Sequence, residues 1–540
     1  MATNQSKTMP TDSQTHTPTH LPALWAVALL VALLLSALNL WFGELNQDEG
    51  WYLYSARLIA DGQRPFVDFA STQGPVMSYV YALLWAPLQS FGLAGGRLVT
   101  TLMGWTAALL AARLAWRLGG EKGIDKGTAA LLTFTLIGVN IYHAYFTTVV
   151  KTYALGSLLV VGAFLALTAD ATSRPRRGWT ALAGLLLALA AGTRASLVML
   201  LPLVFFWLLW ASYCQRRPAA PWSFAAGAGI TMLLIFLPFL LAAPQALWFG
   251  MVEYHAGRET GGLVTTLVYK AAFLLRTVRA YFVGVALLTT ALLVRAGRGD
   301  CKTVPLRGTT VPLLVLAVGV VTLVHLLAPV PYDDYQAIIF PLFAVVAAIG
   351  ATRALGRSAR LPLVVLLLAL LAAFSSPRCQ DLFAAPRDRI WWPMRTQSPL
   401  AQLRDTAAIL HDGAGAEGLI LTQDTYLAVE AGLAVPAGME MGPFCYYPDW
   451  PRERAEACHV LNREMLTELL ATTPAEVAAF SEYGLSIASP SIQPVPDDEV
   501  ARLRALLATR YAPTATIPAF GQAQTGLTLY KLNHVPYNGR

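Results

Sequence analysis

The chain has 540 residues, of which 56% are hydrophobic and only 13% charged; soluble domains carry roughly 25% charged residues, so a soluble multidomain enzyme is excluded. Five scattered cysteines, Cys214, Cys301, Cys379, Cys445 and Cys458, exclude a disulfide framework or a CxxC metal knuckle. The net charge of +7 reads as cationic loops on one side of a membrane and implies no nucleic-acid partner.

Residues 1–20 form a polar, Thr-rich tail without the basic n-region or cleavage site of a signal peptide; it is expected to be disordered and cytoplasmic. Charge-poor runs close to the roughly 20 residues a spanning helix needs follow at 21–43, 97–117, 128–146, 151–169, 179–194, 196–213, 223–243, 272–294, 310–328, 336–352 and 361–376. The predicted fold class is therefore mainly α, a polytopic membrane protein of about 11 transmembrane helices occupying residues 21–376. With the N-terminus inside, the basic residues Lys122, Lys126, Arg174, Arg176, Arg177, Arg216, Arg217, Arg295, Arg298, Lys302, Arg307, Arg353, Arg357 and Arg360 all fall on the cytoplasmic side. Residues 43–96 form an external loop. Its uncharged part, 69–96, contains Pro75 and Pro87, and a crossing there would move every later basic loop to the wrong side. It is expected to be a re-entrant or interfacial helix.

Beyond about residue 376 charges of both signs appear, which predicts a soluble α/β domain over 377–540 on the external (periplasmic) side. Helices are expected at 398–411, 462–471 and 497–508, with strands at 418–422 and in TGLTLYKL near the end. The aromatic stretch Phe444, Tyr446, Tyr447 and Trp450 fits either a core or a carbohydrate platform, the core reading being favoured.

Ionisable groups at the ends of spans are expensive and therefore functional candidates. Asp48 and Glu49 follow the first span, with Trp51, Tyr52 and Tyr54 behind them. A solvated interfacial pair would explain an arbitrary Asp-Glu, but a minimal connector has no need of so long a Gly- and Pro-punctuated loop. The run Asp48-Glu49-Gly50-Trp51-Tyr52-Leu53-Tyr54-Ser55-Ala56-Arg57, then Gly62, Pro65, Asp68-Phe69 and Gln73-Gly74-Pro75, resembles the first external loop of GT-C fold glycosyltransferases. The likeness is to the protein O-mannosyltransferase-like group, including the lipid A aminoarabinose transferases. It implies a polyprenyl-phosphate-linked sugar donor, an acidic loop residue at the reaction centre, and a glycan, lipid or protein acceptor. Two positions depart from the pattern. Gln73 stands where the aminoarabinose-type enzymes have a Lys, and Lys151 stands where many relatives are acidic. The expectation is that the phosphate-binding cation has moved to Lys151.

Such a donor already carries an activated anomeric carbon, so the protein must deprotonate a hydroxyl and hold a leaving phosphate. Asp48 is the candidate base and Glu49 the second catalytic carboxylate. Arg57, Gln73, Lys151, Arg194, His255, Arg258, Tyr332 and Asp333 are the candidates for donor phosphate or substrate binding, with Lys270, Asp334 and Tyr335 beside them. No metal or other cofactor is expected. The expected location is the inner (plasma) membrane. The alternative is a polytopic transporter or flippase for a lipid-linked or anionic substrate, against which stand the lack of an internal repeat and of mid-span carboxylates.

Overall fold

A computed structural model describes residues 20–119, 125–169, 177–215, 219–258, 261–298, 310–356, 360–375, 397–522 and 524–533. The tail 1–19 and several residues that set the expected sidedness, Lys122, Arg174, Arg176, Arg216, Arg217, Lys302, Arg307 and Arg357, lie outside them.

The chain begins with α1 (Leu21–Phe42) and then three shorter helices, α2 (Gln47–Ala60), α3 (Val76–Leu83) and α4 (Trp85–Leu88). At 1.5 Å per residue, the 8 residues of α3 reach less than half of a hydrocarbon core about 30 Å thick. Segment 69–96 therefore contains no helix long enough to cross before α5 (Gly92–Leu118) begins. Next come α6 (Lys126–Gly138) and α7 (Ile141–Phe146). The expected run 128–146 is broken at Asn140, whose side chain caps α7 by accepting from the His143 amide at 2.8 Å.

Four helices follow, α8 (Thr152–Ala169), α9 (Arg177–Thr193), α10 (Leu200–Gln215) and α11 (Ala219–Ala242). Helices α9 and α11 touch at backbone distance: a Cβ on Gly184 would stand 2.2 Å from the Phe224 carbonyl oxygen, and one on Gly227 2.1 Å from that of Ala181. Small residues at such crossings let helices pack in lipid, where hydrophobicity supplies no attraction between them. Short α12 (Pro244–Trp248) and α13 (Tyr254–Ala256) flank a π-helical turn and lead to α14 (Leu263–Ala280), α15 (Phe282–Gly297), α16 (Thr310–Leu327), α17 (Phe340–Leu355) and α18 (Arg360–Phe374).

The expected single span 272–294 is two helices, α14 and α15, meeting at a bend of 88°. Lys270, Arg276 and Arg279 give α14 a cationic face unsuited to the hydrocarbon core, which fits an interfacial segment ahead of an apolar one. Among the described residues, five helices are long and apolar enough to cross a bilayer, or six with the bent pair, which does not confirm the expected count of about eleven. Among the described residues the other apolar runs form shorter or interrupted helices. The apolar helices make this a multi-pass membrane protein.

The C-terminal part builds a four-stranded mixed sheet and a small hairpin from β1 (Ile420–Thr422), β2 (Val477–Ser481), β3 (Ile487–Ala488), β4 (Gln493–Pro494), β5 (Tyr511–Phe520) and β6 (Thr525–Leu532). The sheet order is β1-β2-β6-β5, with β1 and β2 parallel and the other pairs antiparallel. Helices at Pro399–Gly413, Arg463–Thr472 and Asp497–Arg510 lie where the sequence predicts them. The sequence pattern does not mark strands β2 and β5: β2 is buried on both faces and so does not alternate, and β5 is an edge strand carrying Pro513 and Pro518.

This part sits directly on α2. A Cβ on Gly50 would lie 2.4 Å from the Tyr426 amide nitrogen, so only glycine admits the helix Thr425–Ala431 at that distance. The Gln47 side chain donates to Asp424 at 2.6 Å and the Tyr54 hydroxyl accepts from the Val435 amide at 2.9 Å. Tyr446 and Tyr447 are fully buried, and Phe249 packs against Tyr447 and Trp450 with ring centroids 5.5 and 5.1 Å apart. Tyr447 and Trp450 are thus packing residues at the junction with the helical part, and Tyr446, whose hydroxyl bonds Glu499, is a core residue of the C-terminal part.

Candidate active site

The first turn of α2 decides where the two acidic side chains go. Asn46 caps the helix, accepting from the Asp48 amide at 3.1 Å, while Glu49 accepts from the Asn46 amide at 3.0 Å. This capping box turns Glu49 inward. There it pairs with Arg97 of α5 through two hydrogen bonds of 2.8 and 2.7 Å, both side chains being fully buried. Arg97 spends its other donors on the carbonyls of Leu40, Gly43 and Glu44, and Glu49 also accepts from the Val150 amide. The pair fixes the segment that follows α1 to α1 and α5. Glu49, expected as the second catalytic carboxylate, is fully buried with both of its oxygens engaged.

Asp48 points the other way, 31% exposed, into a cavity of about 300 Å³. Its Oδ2 lies 3.1 Å from Lys151 Nζ, and its Oδ1 accepts from the Trp51 indole at 3.3 Å. Lys151, just ahead of α8, also donates to Asp334 at 2.9 Å, and the Tyr153 hydroxyl donates to the same Asp334 oxygen at 2.8 Å. One ammonium therefore bridges two carboxylates across the cavity.

The rest of the lining is rich in cations and aromatic rings. The Arg194 guanidinium lies 4.3 Å over the Tyr335 ring and donates to Thr152 at 3.1 Å. Arg258 donates to the Tyr335 hydroxyl at 3.3 Å, while its buried Nε meets no hydrogen-bond partner among the described residues. His255 contacts the Thr72 carbonyl at 2.8 Å; burial, with the Arg258 charge beside it, lowers its pKa to about 4. It is thus neutral near pH 7 and donates Nε2–H to that carbonyl. Gln73 and Tyr332 line the same cavity, and the C-terminal part contributes Phe444, Tyr483 and Gln522.

No family model and no curated protein sequence matches the chain. Solved structures do. The lipid A aminoarabinose transferase ArnT from Cupriavidus metallidurans aligns at TM-score 0.58 bound to undecaprenyl phosphate and 0.59 in the apo state, at 14% identity, covering 95% and 94% of this chain and 98% of that chain. The apo oligosaccharyltransferase of Archaeoglobus fulgidus aligns at TM-score 0.50 and 11% identity over 97% of this chain and 76% of that one. Both are GT-C fold glycosyltransferases. The protein has the GT-C fold.

In this GT-C chain the candidates divide into two groups. Asp48, Gln73, Lys151, Arg194, His255, Arg258 and Tyr332 share the cavity. Arg57 does not: it donates to the Leu433 carbonyl at 2.6 Å and lies 3.9 Å from Asp61, joining α2 to the C-terminal part. Asp333 is turned away as well, accepting from the Tyr142 hydroxyl at 2.5 Å and lying 3.9 Å from Arg276. Its neighbour Asp334 is the one that faces the cavity. Lys270 hydrogen-bonds the Ala328 carbonyl. Sequence reasoning missed Tyr153, Tyr254, Tyr483 and Gln522 among the lining residues. Tyr153 stands two positions after Lys151 and was legible there; Tyr483 and Gln522 arrive only through the tertiary fold. Among the described residues no three His, Cys, Asp or Glu side chains converge as a metal cluster.

Proposed function

We propose that the protein is a membrane glycosyltransferase that moves a sugar from a polyprenyl-phosphate donor to an acceptor hydroxyl at the outer face of the membrane, with inversion. The observation that carries this reading is Asp48, a partly exposed carboxylate that lines one cavity together with Arg194 and Arg258. ArnT, which shares the fold, is solved with undecaprenyl phosphate bound, and this supports a lipid monophosphate donor. The acceptor oxygen attacks the anomeric carbon as its proton passes to Asp48. The bond from that carbon to the phosphate oxygen breaks on the opposite side, and the polyprenyl phosphate leaves with the electron pair. Arg258 and Arg194 offset its charge. Lys151 has two carboxylates on its ammonium already, so we assign it to holding Asp48 in place rather than to the phosphate. Donor and acceptor meet outside the cytoplasm, the basic loops facing inward at the plasma membrane.

The test is Asp48→Asn in proteoliposomes carrying radiolabelled polyprenyl-phosphate sugars and membrane extract. Loss of a base of this kind costs typically 10²- to 10⁴-fold in turnover, with insertion and lipid binding unchanged. Retained turnover overturns the role of Asp48. A transporter would keep its flux in the same variant.

A further inference from the structure

At the ends remote from the cavity, α10, α15, α16 and α17 enclose a second groove of about 880 Å³. Its walls are almost wholly apolar, among them Phe206, Trp210, Leu292, Val315 and Leu316. All five are exposed side chains, so the groove opens sideways toward the lipid. One end is different: Arg295, in the last turn of α15, and Arg353, in the last turn of α17, both line it. Arg298 Nη1 donates to the Ala354 carbonyl at 2.7 Å, which ties the ends of these two helices together and brings a third guanidinium near the second.

Long apolar walls with cations at one end match an amphiphile with an anionic head. Basic pockets between transmembrane helices on the cytoplasmic side hold lipid phosphates. Snorkelling alone would place an arginine at the end of a span, but it needs neither a groove between helices nor two arginines lining the same end of it. We propose that this groove binds a bilayer phospholipid with an anionic head group, its acyl chains along α10 and α16 and its phosphate on Arg295 and Arg353.

The test uses the full chain in detergent micelles, titrated with fluorescent phosphatidylglycerol and, separately, with fluorescent phosphatidylcholine. Wild type is expected to bind phosphatidylglycerol more tightly. Combining Arg295→Gln with Arg353→Gln should weaken that binding roughly 30-fold, at about 1 kcal/mol per cation near a lipid phosphate, and weaken phosphatidylcholine, whose phosphate is offset by its own ammonium, by much less. The double lysine variant should stay within a few-fold of wild type. Val315→Trp, which fills the groove with both arginines kept, should also release the lipid, and Arg113→Gln on α5 should not. Equal affinity for the two lipids, or unchanged binding in the double glutamine variant, overturns the proposal. So does displacement of phosphatidylglycerol by equimolar undecaprenyl phosphate, which would give the groove to the carrier's tail.

Discussion

Lys151 and Asp334 are held 2.9 Å apart with both side chains only 9% exposed, and the same ammonium reaches Asp48 at 3.1 Å. Removing one partner of a buried pair leaves an uncompensated charge, at a cost of about 3–5 kcal/mol. Lys151→Ala is therefore expected to destabilise the fold and to free Asp48, whereas Lys151→Arg keeps the charge. The measurement is kcat and KM separately: a positioning role predicts a fall in kcat with donor KM nearly unchanged. A large rise in donor KM alone would return Lys151 to the phosphate.

Arg258 gives the opposite signature. Its Nε is buried and without a hydrogen-bond partner among the described residues, a donor suited to an incoming anion. Hydrogen bonds to charged groups contribute about 1.5–3 kcal/mol, so Arg258→Gln should raise the donor KM roughly 10- to 100-fold. Titrating the variant with undecaprenyl phosphate should show the same loss, and unaltered affinity would remove Arg258 from the donor site.

The Arg97–Glu49 pair is fully buried, and its role is structural. Arg97→Met leaves Glu49 charged and unpaired, which predicts a loss of about 3–5 kcal/mol, whereas the double change Arg97→Met with Glu49→Met should recover part of it. Thermal unfolding of the detergent-solubilised protein reads both. A single Arg97→Met variant as stable as wild type contradicts the assignment.

Glu440 supplies a pH signature in the C-terminal part. Burial raises its carboxyl to about 7, and its Oε2 has no hydrogen-bond partner among the described residues. The native state keeps the proton where the unfolded chain, with a carboxyl near 4.5, has lost it. Its contribution to stability is full below the unfolded value and declines as pH rises toward about 7. Glu440→Gln should flatten that part of the stability–pH curve; an identical slope in the variant refutes the assignment.

Much of the cavity was legible as chemistry but not as orientation. Charge scarcity marked Asp48, Lys151, Arg194 and Arg258 because lipid tolerates so few ionisable groups. It could not tell Asp48 from Glu49 or Asp333 from Asp334. Neighbouring residues in a helical turn point in different directions, and which one turns inward depends on a distant partner, Arg97 for Glu49 and Tyr142 for Asp333. Hydrophobicity located the helices but not the corner at Tyr281, because the averaged apolar run hides the cationic face of α14. Arg57 lies outside the cavity for a related reason: its partner is the Leu433 carbonyl, 376 positions away, and no local pattern encodes it.

The helix that carries Asp48 is gripped from two sides, by Arg97 of the bundle and by Asp424, Leu433 and Val435 of the C-terminal part. Those last residues leave the ribosome long after α2 has been inserted. A nascent chain therefore lacks a settled reaction centre until its final quarter has folded against the loop, and truncation ahead of residue 420 should leave an inserted but idle protein. Competence is timed by the order of synthesis.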